Sequence, residues 1–141
     1  MSDAYMIRLA WPLLAVVVFV AGLPARVLAQ DQGAPLAADE LRGLIVGNTI
    51  EGPIRSKPYD FYYRKDGTMG GMITSLGADR GTWRVEDDGK FCQQWIQFLN
   101  ADDRCYRWYR QGDRYVMRNV DTFRTIDITV WRITEGNPRN F

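Results

Sequence analysis

The chain has 141 residues, 18 basic and 17 acidic, and no histidine. Near-neutral charge argues against a dedicated nucleic-acid binder, which carries a basic face. The missing histidine removes Ser-His and Cys-His nucleophilic pairs, His-ligated zinc and the commonest general base near neutral pH.

The first 29 residues read as a secretory signal. Arg8 precedes an uncharged apolar run, Pro24 interrupts it, and Val27-Leu28-Ala29 offers a small residue at the cut before Gln30. An uncleaved anchor needs about 20 apolar residues, and the uncharged stretch between Arg8 and Arg26 is shorter and holds Pro12 and Pro24. No cysteine follows the run, which argues against a lipid anchor. The expectation is an export leader over 1–29 that meets the membrane only during export, with the rest periplasmic or extracellular, where thiols oxidise. Arg8, Arg26 and Asp3 leave with the leader, so the remainder is formally neutral.

Residues 30–36 read as a linker and residues 37–141 as one domain, long enough for one modest core. A helix is predicted over 37–46: Leu36, Leu41, Leu44 and Ile45 recur near helical spacing, Asp39 and Glu40 fill the first turn, and Gly47 closes it. It is short and must dock on something.

From Asn48 onward, turn signals such as Gly52-Pro53, Lys65-Asp66-Gly67, Asp87-Asp88-Gly89 and Gln111-Gly112-Asp113 recur at even spacing. They separate eight predicted strands at 49–51, 59–64, 68–76, 81–86, 90–98, 104–110, 114–120 and 123–134. Tight turns favour an antiparallel meander. Alternation places Trp83 with Val85, Tyr115 with Met117, and Ile126 with Ile128 and Val130. The fold class is all-β, a small antiparallel eight-stranded barrel whose closure hides its edges. Such a barrel is filled by side chains or holds one small ligand.

Cys92 and Cys105 are the only cysteines, and an exported domain with an even count suggests one disulfide. Their direct pairing centres the hairpin at Phe98-Leu99, ahead of the polar turn signal at 100–103, and a bulge at Gln93-Gln94 could reconcile the two. Gly70-Gly71 inside a strand reads as a bulge or a close backbone approach. Gly81-Thr82-Trp83 matches the Gly-x-Trp signature of lipocalins, but on the fourth strand rather than the first. The plainer reading is a core tryptophan with its glycine at a turn.

Arg104, Arg107, Arg110 and Arg114 alternate with Tyr106, Trp108 and Tyr115. Such a surface suits anionic or carbohydrate ligands through guanidinium contacts and ring stacking. The plainer and preferred reading is an ordinary amphipathic strand with Tyr106 and Trp108 in the core and the arginines solvated or over neighbouring rings. Asp66, Asp87, Asp88, Asp102, Asp103 and Asp113 read as turn formers. Glu51, Asp60, Glu86 and Asp127 lie on or beside strands without forming an evident acid–base pair. No metal, phosphate or cofactor motif is present.

The order of landmarks resembles a family of small exported bacterial proteins carrying a domain of unknown function. The matching residues are Gly47-Asn48-Thr49, Asp66-Gly67-Thr68, Gly81-Thr82-Trp83-Arg84-Val85, Cys92-Gln93-Gln94-Trp95, Cys105-Tyr106, Gly112-Asp113-Arg114-Tyr115 and Gly136-Asn137-Pro138. The resemblance implies a lipocalin-like barrel outside the cytoplasm, and no activity.

Three functions follow, in order of support. The first is a non-enzymatic binding module for a small apolar, amphipathic or cell-envelope ligand, with Tyr63, Trp83, Trp95, Tyr106 and Trp108 as candidate contacts unless these rings simply fill the barrel. The second is an interaction or inhibitor protein that meets an envelope partner through Arg104, Arg107, Arg110 and Arg114. The third is a carboxylate-based hydrolase.

Overall fold

The computed structural model describes residues 33–121 and 126–141. The expected leader, the start of the linker, and positions 123–125 of the last expected strand lie outside the described residues. Helix α1 (Ala38–Ile45) is followed by β1 (Asn48–Ile54), β2 (Lys57–Tyr63), β3 (Thr68–Ile73), β4 (Gly77–Val85) and β5 (Phe91–Trp95). A 3-10 turn (Phe98–Ala101) leads to β6 (Arg104–Gln111), β7 (Arg114–Asn119), β8 (Ile128–Val130) and β9 (Arg132–Glu135).

The nine strands form one antiparallel sheet in the order β8-β7-β6-β5-β4-β3-β2-β1-β9. The sheet is nearly closed on itself. The expectation of eight strands is corrected to nine because the last run breaks at Trp131. Before the break, β8 pairs with β7; after it, β9 pairs with β1. At the break the Trp131 amide donates to the Glu51 carbonyl at 2.8 Å. One apolar run thus spans the seam, its first half on one edge and its second half on the other.

The seam explains a misread turn. Gly52-Pro53 lies inside β1, and the β1–β2 turn is Arg55-Ser56. A Cβ on Gly52 would stand 2.0 Å from the Thr129 carbonyl oxygen, so this glycine is required by the approach of β8. Pro53 sits just past the last β1–β9 pair, Glu51 with Arg132, where its missing N–H breaks no ladder to β9.

Strict alternation fills the interior. Tyr59, Phe61 and Tyr63 of β2, Phe91 and Trp95 of β5, and Tyr106 and Trp108 of β6 are all buried. Their rings touch in two chains. Tyr59, Phe61 and Trp95 are linked at centroid distances of 4.4 and 4.5 Å, and Tyr63, Phe91 and Trp108 at 5.5 and 5.7 Å. Gly71 gives these rings room: a Cβ there would lie 2.5 Å from Phe61 Cδ1 and 3.1 Å from Trp95 Cη2. Its register with β2 and β4 is unbroken, so the close approach is real and no bulge exists.

Helix α1 covers one end of the barrel. Leu41 and Ile45 are fully buried, the Arg42 guanidinium donates to the Val85 carbonyl at 2.8 Å, and the Gly47 amide donates to the Tyr63 carbonyl at 2.8 Å. Leu36, the end of the expected linker, is itself buried, and its amide donates to the Trp108 carbonyl. Among the described residues no helix is long and apolar enough to cross a membrane.

Candidate functional site

The two ends of the barrel are built differently. At the helix end the turns place glycine at positive φ: Gly47, Gly67, Gly89, Gly112 and Gly136, with Asn140 in the segment after β9 the non-glycine example. At the opposite end the same backbone region is occupied, besides Gly77, by Arg55, Ser56, Ser75, Leu99, Asn100 and Ala101. Left-handed backbone costs an ordinary residue about 1–2 kcal/mol. Such strain persists only where surrounding structure holds it, and it gathers at functional sites. This end, the mouth, therefore retains side chains that relaxed turns would replace by glycine.

The mouth holds a cavity of about 330 Å³. Its apolar walls are Ile54, Ile73, Leu76, Leu99 and Ile126, and its cations are Arg55, Lys57 and Arg104. Leu76 is more than half exposed at the rim. Arg104 is the opposite case, with only 8% of its surface exposed. Its Nη2 donates to the Leu99 carbonyl at 2.9 Å and stands 3.5 Å from Asp102 Oδ2, while its Nε has no partner.

Arg104 owes this position to strand parity. It shares the inward face of β6 with Tyr106 and Trp108, opposite Gln93 of β5. The β5–β6 loop that roofs it is fixed by Asp79, whose Oδ2 accepts the amides of Gln97 and Phe98, both at 2.8 Å. Pairing of Cys92 with Cys105 one step along the ladder closes the hairpin as a disulfide. The register is regular through 91–95 toward β4 and through 91–93 toward β6, where pairing stops at Gln93 with Arg104, so no bulge interrupts either ladder at Gln93-Gln94. The polar signal at 100–103 is absorbed instead by the 3-10 turn and its left-handed residues.

Below the mouth lies a wall of nitrogen donors. Gln93 Nε2, Trp95 Nε1, Arg104 Nε, Trp108 Nε1 and Asn119 Nδ2 are buried, sit on the inner faces of β5, β6 and β7, and have no hydrogen-bond partner among the described residues. A buried donor left unpaired costs about 1–3 kcal/mol. Two acceptors of this region are engaged: Gln93 Oε1 receives the Tyr63 hydroxyl at 3.0 Å, and Asn119 Oδ1 receives the Asp121 amide at 2.8 Å. Burial pushes the Tyr106 hydroxyl above its usual pKa, and Arg104 and Gln93 beside it partly offset the push.

The expected ligand contacts divide by depth. Trp95 and Tyr106 stand next to the mouth, the first against Phe98 at 5.3 Å and the second beside Arg104. Tyr63 and Trp108 lie deeper, toward the helix. Trp83 is half-buried at the helix end, where its Nε1 donates to the carbonyls of Arg64 and Thr68, each at 3.0 Å. Gly81 is not at a turn but inside β4, where a Cβ would meet the Gln94 carbonyl oxygen at 2.1 Å.

The four expected surface arginines do not form one patch. Arg104 is inside the mouth. Arg107 reaches Asp88 at 2.7 Å, and Arg110 pairs with Glu40 at 3.3 Å while lying over the Tyr115 ring. Arg114 lies over Trp131, which is itself about half exposed.

One carboxylate pair escaped the sequence reading. Glu51 and Asp60 face each other across β1 and β2 on the outside of the barrel. The Arg132 guanidinium, hydrogen-bonded to Glu51, holds that carboxyl below its usual range; burial raises Asp60, partly offset by Arg139 at 3.2 Å. Every neighbour of this pair is structural, joining β9 and the 137–141 segment to the sheet. Among the described residues no three metal-ligating side chains gather at one point. No protein-family model matches the chain, and neither the curated proteins nor the solved structures contain a match.

Proposed function

We propose that this protein is a non-enzymatic, lipocalin-like binding module of the bacterial cell envelope that takes a small, partly apolar ligand at the barrel mouth. The observation that carries the reading is the 330 Å³ mouth cavity, apolar on its walls, charged at its rim, and framed by strained turns that keep their side chains. Its size lies at the lower limit of ordinary ligand pockets. The aromatic filling below it favours a ligand that sits in the mouth over one threaded through the barrel. An exported location is supported by the Cys92–Cys105 bridge, since such bridges persist in oxidising compartments. The ordered landmarks from Gly47 to Pro138 support placing the chain with the small exported bacterial proteins it resembles.

A thermal-shift screen with fatty acids, phospholipids and cell-wall fragments tests the reading. A ligand at 100 times its Kd adds about 2.7 kcal/mol, which in a domain of this size raises Tm by about 10 °C. A flat response across the whole panel contradicts a binding role for the mouth.

A further inference from the structure

We infer that the ligand's polar end is an oxyanion, received by Arg104 beneath the rim cations Arg55 and Lys57, while an alkyl portion lies on the apolar walls. This inference rests on the mouth being a binding site. It names what that site selects.

Three observations converge. First, Arg104 lines the cavity with only 8% of its surface exposed, and its Nε has no partner. An acceptor-rich group completes it, and a further donor does not. Second, the inner wall behind Arg104 is also donor-rich. Gln93 faces Arg104 in the β5–β6 register, and Asn119 faces Tyr106 in the β6–β7 register, each with a side-chain nitrogen that has no partner among the described residues. Third, the rim charge has the matching sign: Arg55 and Lys57 are exposed beside the buried Arg104. Arg104 Nη2 is ion-paired with Asp102 at 3.5 Å, which leaves Nε uncommitted, and Asp79 is taken by the loop amides. A guanidinium with Nε uncommitted offers a carboxylate or phosphate a directed, charge-assisted contact.

The opposite side of the cavity sets the rest of the ligand. Ile54, Ile73, Leu76 and Ile126 present no hydrogen-bonding side chain, so the part of the ligand that meets them is hydrocarbon. The site therefore suits a short amphipathic anion. Carboxylate and phosphate share the required chemistry, and so does free phosphate, so the test separates them.

Isothermal titration of the wild-type chain at neutral pH with n-octanoate, n-octyl phosphate, n-octanol, n-octylamine and inorganic phosphate gives the answer. The expected result is at least about tenfold tighter binding of octanoate or octyl phosphate than of octanol, with octylamine weaker still. Arg104→Gln is expected to remove most of that preference while leaving octanol unchanged. Should the variant not fold, the headgroup series on the wild-type chain decides by itself. Octanol equal to octanoate and octyl phosphate overturns the oxyanion and leaves the binding module standing. Inorganic phosphate as tight as octyl phosphate overturns the alkyl portion. No binding by any of the probes overturns both the oxyanion and the mouth as a site.

Discussion

Gly52→Ala is the sharpest perturbation of the barrel seam. The new Cβ would be 2.0 Å from the Thr129 carbonyl oxygen and 3.0 Å from its carbon, and a tolerable contact needs at least 1 Å more. Both obstacles are backbone, so β8 must move away from β1. That movement strains two contacts: the Tyr59 hydroxyl to the Thr129 carbonyl at 2.9 Å, and the Trp131 amide to the Glu51 carbonyl at 2.8 Å. Each hydrogen bond is worth about 1 kcal/mol, and the buried Tyr59 hydroxyl left without an acceptor costs somewhat more. Overpacking adds about 1–3 kcal/mol. The total is about 3–5 kcal/mol, a large share of the 5–15 kcal/mol typical of a domain. Urea unfolding followed by tryptophan fluorescence reads it as a midpoint lower by about 2 M, for a slope near 2 kcal/mol per molar. Gly43→Ala is the control, since it lies in α1 with nothing within 4 Å of its would-be Cβ. It should stabilise by about 0.5–1 kcal/mol. A Gly52→Ala protein within 1 kcal/mol of wild type would mean that β8 does not press on β1 and that the sheet is open at this seam.

Three other outcomes are expected. Replacing Cys92 and Cys105 together by alanine removes a bridge across 13 residues and should cost about 3 kcal/mol, measured by the same unfolding experiment. Trp83→Phe keeps the ring contacts with Tyr63 and Phe91 but loses the indole donor to Arg64 and Thr68, so about 1–2 kcal/mol should go and the β2–β3 turn should exchange its amides faster. The Glu51–Asp60 pair should show opposite pH signatures. The lowered pKa of Glu51 gives stability that is present above its ordinary value and lost as pH falls through the native one; the raised pKa of Asp60 gives stability present at acid pH and lost as pH rises through the native one. Glu51→Gln should therefore destabilise more at neutral than at acid pH, and Asp60→Asn more at acid than at neutral pH, by urea midpoints at the two pH values.

Period-two alternation made the core legible: Tyr106 and Trp108, or Trp83 and Val85, could be assigned to one face before any coordinates. The same parity also held Arg104 on the inward face with Tyr106. Grouping it with Arg107 by charge rather than by register hid an arginine that enters the barrel. The disulfide was legible from two cysteines and a plausible compartment. A barrel was legible, but the place of its seam was not, because the seam depends on contacts between Gly52 and Thr129, distant in sequence, and glycine-proline beside a strand looks locally like a turn. The Arg55-Ser56 turn carried no glycine or asparagine to mark it. With that turn centre unknown, the opposition of Glu51 and Asp60 could not be found. The mouth escaped in part for the same reason, since Arg55, Leu99 and Ala101 are residues that turn chemistry does not favour at positive φ.

Amide and side-chain NMR shifts on adding n-octanoate test the central claim most directly. Changes concentrated at Leu99, Asn100 and the Arg104 Nε–H, with α1 silent, are the predicted result. Changes centred on Arg107, Arg110 and the helix end, or no changes at saturating ligand, would contradict a binding mouth at the far end of the barrel.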